Sequence, residues 1–452
     1  MATVRAFRAF GYHERFNDEL PKLIAPPYDV IPTESIPDWH ARHRYNITRL
    51  TLPDSHGEDP YKRAAELLRS WREENVIVPN ATEALSLYSQ RFINPLTGKA
   101  VMRTGILTLL RLEPFETGNV LPHERTLRGP RIDRMRLLEE TRAQLEPIFG
   151  MTSDLPDGEL HALIERQLAD NEPDLVVTDE EGVRQIVRHV TDRAVIDRFV
   201  RLMATRPVII VDGHHRYVSG LEYRNKVREE RGVEGEELPS DYILIHIVPM
   251  SDPGLVILPT HRVIHSVDGL DFDTVVERLN GPFTVEELND RKKGFDSLSE
   301  RGEGSFLLFN GSRTIVATVT ASGKTVMQQQ LGCNNPLADV DTAILHELIL
   351  DEIVGLTTQM QESGSYIRYV KSIDDAVVAA DDPTTNFVVA MTPPRFEQVE
   401  AVSRSGQVMP QKSTYFVPKL TSGLLLHVHD EDVWKESMDS ADFSPHTTDT
   451  PE

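Results

Sequence analysis

Pro207-Val-Ile-Ile-Val-Asp-Gly-His-His-Arg-Tyr-Val-Ser-Gly-Leu-Glu-Tyr223 is the stretch that decides how the middle of this chain folds. The apolar run Pro207 to Val211 reads as a buried strand, Asp212-Gly213 as a turn, and His214-His215-Arg216 as the first turn of a helix. Strand, glycine turn and helix N-terminus together form an anion site. Backbone N–H groups point outward there, and the helix dipole adds roughly half a positive charge. Arg216 and two imidazoles are badly placed at that end of a purely structural helix, because the dipole disfavours cations. A phosphate bound there removes the conflict.

Working outward, a helix over Arg193 to Ala204 feeds the strand, so Arg193 to Arg228 forms a compact α/β unit, closed by an acidic linker over Glu229 to Ser240. Upstream lie an amphipathic helix at Tyr61 to Glu73, a hairpin of Ala84 to Ile93 with Val101 to Leu112, helices near Ile132 to Leu145 and Asp157 to Ala169, and short strands at Asp174 to Thr178 and Val183 to Val190. Downstream, strands are expected at Tyr242 to Val248, Phe306 to Phe309, Thr314 to Val319 and Phe387 to Met391. A helix carrying Val340, Ile344, Leu345, Leu348 and Ile349 on one side lies between the last two. The fold class is mixed α/β, in three regions (1–112, 113–235 and 236–428) with an acidic tail, 429–452, expected to be disordered.

Composition narrows the function. The chain is 39% hydrophobic and 26% charged, which suits a globular protein, and no segment approaches the roughly 18 apolar residues of a membrane span. The N-terminus lacks the apolar core of a secretory signal, and Cys333 is the single cysteine, so neither an intramolecular disulfide nor a multi-cysteine metal site can form. A cytoplasmic protein is expected. With 48 Lys and Arg against 71 Asp and Glu, the net charge of -23 repels a nucleic-acid backbone, which argues against DNA or RNA as a partner.

Several residues are candidates for chemistry. Asp212 can accept a hydroxyl proton or hold Mg²⁺, Gly213 permits close approach of a phosphate, and Arg216 can grip it in bidentate fashion. The structural alternative makes Asp212 an N-cap and His214 and His215 half-exposed helix-start residues. Met409-Pro-Gln-Lys-Ser-Thr-Tyr-Phe-Val-Pro-Lys419 cannot be a helix interior, because prolines stand at 410 and 418. It reads either as a phosphate-binding loop offering Lys412, Ser413 and Thr414 or as an edge strand with solvated lysines. Leu121-Pro-His-Glu-Arg-Thr126 offers His123 and Glu124 as an acid/base pair or as surface residues. Pro259-Thr-His-Arg262 offers a second His-Arg pair at a strand end, and Ala25-Pro-Pro-Tyr-Asp-Val-Ile-Pro32 a stiff turn carrying Tyr28 and Asp29. Asp339, Asp341, His346 and Glu347 lack the second histidine of a zinc-protease helix, and Asp341 reads as a helix N-cap.

These residues also carry a resemblance. Arg5-Ala-Phe-Arg-Ala-Phe10, Ala25-Pro-Pro-Tyr-Asp-Val30, Pro122-His-Glu-Arg-Thr126, Glu146-Pro-Ile-Phe-Gly150, Asp212-Gly-His-His-Arg-Tyr217, Pro259-Thr-His-Arg262 and Met409-Pro-Gln-Lys-Ser-Thr-Tyr-Phe416 resemble a bacterial domain-of-unknown-function family, number one thousand and fifteen, labelled ParB/SpoOJ-like. The box around Gly213 to Arg216 looks like the nucleotide-binding box of the ParB/sulfiredoxin superfamily. Its members bind CTP or ATP, and one branch phosphorylates free serine with ADP or ATP. His214 stands where sulfiredoxin has its cysteine, so that chemistry is not available here, and no helix-turn-helix follows the box.

The resemblance implies a nucleotide-binding enzyme that transfers a phosphoryl group from ATP or ADP to a small hydroxylated metabolite such as serine. Gly213, His214 and Arg216 would hold phosphates, with Lys412, Ser413, Thr414 and Arg262 assisting. Asp212, Glu124 and His215 would serve catalysis, and Mg²⁺ would sit at Asp212. A nucleotide- or metabolite-sensing regulator without catalysis and a phosphoester hydrolase are the alternatives. A homodimer is left open.

Overall fold

The computed structural model describes residues 2–55, 57–124, 128–154, 158–170 and 172–440. The chain divides into two compact units, one of residues 1–120, 126–255 and 418–452, the other of residues 121–125 and 256–417.

The first unit is built on a mixed sheet. Its strands run in the order Val208–Asp212, Ile148–Thr152, Tyr242–Pro249, Ala100–Arg111, Leu85–Ile93, Arg184–Val190 and Leu175–Thr178, and Val4–Arg5 joins Ala100–Arg111. Ile148–Thr152 and Tyr242–Pro249 pair in parallel, with Ile245 opposite Ile148, and their neighbours are antiparallel. Both of these parallel strands are buried along their whole length, as strands covered on two faces must be. Gly150 is required at this contact, because a Cβ there would lie 2.7 Å from Val208 Cγ1 and 2.9 Å from Ile245 Cδ1. The helix Arg193–Met203 places Ile196, Phe199 and Met203 on one stripe and adds them to the core with Ile148, Leu110, Tyr217 and Ile245. Asp192 starts that helix by accepting the N–H groups of Ala194 and Val195.

The second unit carries an antiparallel sheet in the order Phe283–Leu288, Thr314–Val319, Ser305–Phe309, Thr385–Met391, His261–His265 and Ile367–Val370. Leu298 from the helix Arg291–Arg301 and Ala376, Ala379 and Ala380 from the helix Ile373–Ala380 pack against its core residues Val263, Leu307, Phe309 and Val388. Among the described residues, no helix is long and apolar enough to cross a membrane.

The mixed α/β class, the hairpin and the strand–glycine–helix passage are present where the residues place them. Four details differ. Tyr242–Pro249, read as the opening strand of a third region, instead lies inside the first sheet, so the units cut across the regions 113–235 and 236–428. Hydrophobicity announces a strand but carries no address for its partner. The segment 429–440, read as part of a disordered tail, contains the helix Glu431–Ser440, whose Trp434 is buried and donates its indole N–H to Glu237 O at 3.1 Å; residues 441–452 of that tail lie outside the described residues. Asp341 is not an N-cap. It is the first residue of the helix Asp341–Ile344, and its carboxylate accepts the Gly304 N–H at 2.7 Å. That helix continues as a π-helix, Leu345–Val354.

Candidate phosphate-binding site

Asp212 ends its strand half-buried, and Gly213 turns the chain with φ 86° and ψ 25°. Glycine takes this left-handed conformation without penalty. A Cβ at that position would also approach Ile148 Cγ2 to 2.7 Å and Arg216 Nε to 3.1 Å. The helix His214–Arg231 begins immediately, with Gly213 as N-cap and no side chain capping it. N–H groups of a first helical turn have no acceptor within the helix, so this end is chemically suited to an anion.

Arg216 folds back over the turn. Its Nη2 donates to Asp212 Oδ2 at 2.9 Å and its Nη1 to Pro147 O at 2.7 Å. Lys419 Nζ donates to the other carboxylate oxygen, Asp212 Oδ1. Burial raises the Asp212 pKa, but Lys419 and Arg216, with His214 adding, outweigh it and hold the group well below the usual carboxylate range. Arg216 is held protonated: burial opposes its charge, while Glu146, Asp212, Asp29 and Tyr28 together prevail. Burial pushes the Tyr28 hydroxyl up to about 12, against the pull of Arg216 and of Arg134, whose guanidinium lies 3.9 Å from the Tyr28 ring.

Three stretches of sequence therefore meet around one arginine. Glu146 binds them by accepting the Tyr28 N–H at 2.9 Å and the Ser422 hydroxyl at 2.8 Å on the same oxygen. The backbone that presents Lys419 is fixed on both sides: Arg103 Nη2 donates to Pro418 O at 2.6 Å, and Gln90 Nε2 to Lys419 O at 2.9 Å. Burial lowers the fully buried Arg103 to about 10, with Tyr88, Asp252 and Asp212 opposing the shift.

Lys419, Glu146 and Arg103 were not among the site residues read from sequence. Lys419 lies inside the quoted Met409 to Lys419 stretch, and Glu146 opens the Glu146 to Gly150 string. Choosing Lys419 over Lys412 needs the route by which the chain returns to the first unit.

The remaining candidates belong to the second unit. Glu124 accepts the Lys412 N–H at 2.9 Å, and His123 Nε2 lies 2.7 Å from Thr414 Oγ1. Ser413 is buried, and its hydroxyl is used on Pro410 O at 2.6 Å and Thr342 Oγ1 at 3.0 Å. Arg262 is fully buried and donates to Thr260 O, to Lys412 O at 3.1 Å and to His346 Nε2 at 3.3 Å. Lys412 itself has φ 57°, a left-handed conformation, and an exposed side chain. Tyr415–Val417 completes the loop as a strand paired with Val256–Leu258. The structure thus brings Asp212, Gly213, His214, His215 and Arg216 together in the first unit, and Glu124, Arg262, Lys412, Ser413 and Thr414 in the second.

The Mg²⁺ expected at Asp212 finds no protein cage. Both carboxylate oxygens are engaged by cations, and among the described residues no group of three His, Cys, Asp or Glu side chains is placed to hold a metal ion.

Comparison with family models finds a match over residues 4–342 to the description "protein of unknown function (DUF1015)". The chain belongs to this family. Comparison with curated proteins finds no match. Solved structures similar to the chain include a conserved hypothetical protein from Pyrococcus furiosus, 14% identical, covering 72% of this chain and 97% of that one at a TM-score of 0.35. A free serine kinase in complex with AMP is 14% identical, with coverage of 72% and 93% and a TM-score of 0.38. SbnI with a C-terminal truncation, from Staphylococcus aureus, is 11% identical, with coverage of 74% and 96% and a TM-score of 0.35.

Proposed function

We propose that the chain binds ADP or ATP with its phosphates at the N-terminus of the helix His214–Arg231, and that it transfers a phosphoryl group to a small hydroxylated metabolite such as free serine. The observation that carries this reading is the junction of Asp212, Gly213, Arg216 and Lys419. Two cations converge on one carboxylate beside an uncapped helix start. A phosphate entering there meets the helix dipole and two positive side chains already oriented by Asp212. In the transfer, the acceptor oxygen bonds to phosphorus, the bond to the nucleotide's bridging oxygen breaks, and the hydroxyl proton leaves to Asp212 or through His215 to water. Such a loose transition state asks for positioning and charge neutralisation more than for a strong base. Mg²⁺ would arrive with the phosphates rather than wait in a protein cage. Glu124, Lys412, Ser413, Thr414 and Arg262 lie in the second unit, and the phosphate reading does not depend on them.

The test is thermal. ADP or ATP should raise the melting temperature of the full chain, and Arg216→Ala should abolish the rise. No rise with any nucleotide, with or without Mg²⁺, rejects the site. Phosphorus NMR across an amino-acid panel should show a new phosphomonoester resonance that Asp212→Asn and His215→Asn reduce while nucleotide binding persists. The engagement of both Asp212 oxygens favours one second reading, a nucleotide sensor without turnover. Nucleotide binding with no new phosphorus resonance would establish that reading instead.

A further inference from the structure

A cavity of about 50 Å³ lies within the first unit, bounded by the helices Arg128–Thr141 and His214–Arg231 and by residues 143–146. Leu137, Leu145 and Ile243 give it apolar walls. Arg216, which grips Asp212, is also one of its walls. Gly220 is another, one helical turn or about 6 Å further along the same helix. The cavity therefore starts within a turn of the phosphate junction.

Hydrogen-bond bookkeeping on the polar walls singles out one atom. Gln144 is spent, because its Oε1 accepts the Leu244 N–H and its Nε2 donates to Tyr242 O at 2.6 Å. The Ser219 hydroxyl donates to Arg131 O at 3.0 Å. Glu146 is different. Its Oε1 accepts both the Tyr28 N–H, at 2.9 Å, and the Ser422 hydroxyl, at 2.8 Å. Its Oε2 accepts from no protein group among the described residues, although Glu146 is only 6% exposed and lines the cavity.

Charge points the same way. The two arginines on the walls are already held, Arg134 by Asp133 at 2.5 Å and Arg216 by Asp212 at 2.9 Å. Glu146 forms no ion pair among the described residues, and Arg216 acts on it only through space. A carboxylate buried so far is normally matched by donors or by a cation. The open oxygen calls for a donor that carries positive charge.

We propose that this cavity is a subsite for a primary ammonium group, held by a charge-assisted hydrogen bond to Glu146 Oε2, with its first carbon against Leu137, Leu145 and Ile243. Resting on the phosphoryl-transfer reading, it narrows the acceptor to an amino alcohol or a hydroxy amino acid, anchored by its amine within a helical turn of the phosphates.

The experiment titrates the full chain with ethanolamine, ethylamine and ethylene glycol by calorimetry, near neutral pH and at constant ionic strength. Both amines should bind saturably, and the glycol, which matches ethanolamine in size without its charge, should not. Glu146→Gln keeps one oxygen for Tyr28 and Ser422 and replaces the open one with an amide nitrogen, so it should weaken amine binding about tenfold or more. Ser422→Ala removes a partner of Oε1 alone and should leave amine binding within about twofold. A purely architectural role for Glu146 predicts the reverse order. No saturable binding of either amine, glycol binding equal to that of ethanolamine, or wild-type affinity in Glu146→Gln overturns the subsite. Phosphorus NMR with ATP or ADP separates this inference from the reading it rests on. Amine binding without phosphorylation of ethanolamine or serine keeps the subsite and rejects the transfer, whereas phosphorylation of ethylene glycol as readily as ethanolamine rejects the subsite.

Discussion

The two units use the same residue types in opposite ways. At the first, Arg216 and Lys419 direct their charges at the side chain of Asp212, leaving all three half-buried at a helix start. At the second, Glu124 and Arg262 direct theirs at the backbone of Lys412, one taking its N–H and the other its carbonyl. The ammonium of Lys412 is left exposed. A charged side chain bound to another charge keeps hydrogen-bonding capacity near a ligand. One bound to backbone, and wholly buried, is committed to holding a loop in a conformation it would otherwise leave. Acid, arginine and lysine in proximity therefore do not define a binding site until their acceptors are known.

The sharpest way to break this contrast is Arg262→Ala. It strips donors from two carbonyls in a buried setting and should cost about 3 kcal/mol or more, read from urea unfolding. A cost under about 1 kcal/mol would mean that the clamp is not structural.

The next largest effect concerns pH. Burial raises Asp341 to about 6, the Gly304 N–H and Thr392 hydroxyl countering it only in part. A carboxyl with a raised folded-state pKa favours the folded form when protonated. Its contribution is therefore full below about pH 4 and is lost as pH rises through about 6, a swing on the order of 2–3 kcal/mol. Asp341→Asn should flatten the stability profile between pH 4 and 7, and an unchanged profile would rule out that linkage.

Gly213→Ala should destabilise the first unit by about 1–2 kcal/mol, through the left-handed backbone and the approach to Ile148. It should also weaken nucleotide binding by displacing Arg216, whereas an alanine at Gly232, where nothing lies within 4 Å, should leave that binding intact. A smaller stability change is expected for Lys419→Met, about 1 kcal/mol, with the nucleotide response reduced. Lys412→Met, at an exposed side chain, should leave stability within about 0.5 kcal/mol. Equal losses at the two lysines would erase the distinction drawn between the units.

Much of this was legible in the residues. Pro207 to Val211 has the length and branching of a buried strand, and Asp212-Gly213 the composition of a turn. A helix bearing His214, His215 and Arg216 in its first turn carries its own electrostatic oddity. The Ala25 to Val30 and Glu146 to Gly150 strings were visible as unusual, but not as neighbours of Arg216. Lys419 was visible only as the second lysine of a stretch in which Lys412 stood beside two hydroxyls. Ser413 and Thr414 looked like phosphate donors because hydroxyl-rich loops often are, and their hydroxyls are instead engaged inside the second unit.

Local pattern alone determined the elements: the strand over 208–212, the obligatory glycine at 213, the helix that follows, and the stripe of Ile196, Phe199 and Met203 that packs beneath them. These depend on periodicities of two and of about 3.6 residues and on backbone sterics, which neighbours in sequence settle between themselves. The tertiary structure alone decided which charges meet. Asp212 and Lys419 are separated by 207 positions, and Tyr28 and Glu146 by 118. Such pairings follow from strand order and from the chain's late return to the first unit. Those are set by the burial of whole faces against one another, a quantity that no short stretch of sequence contains.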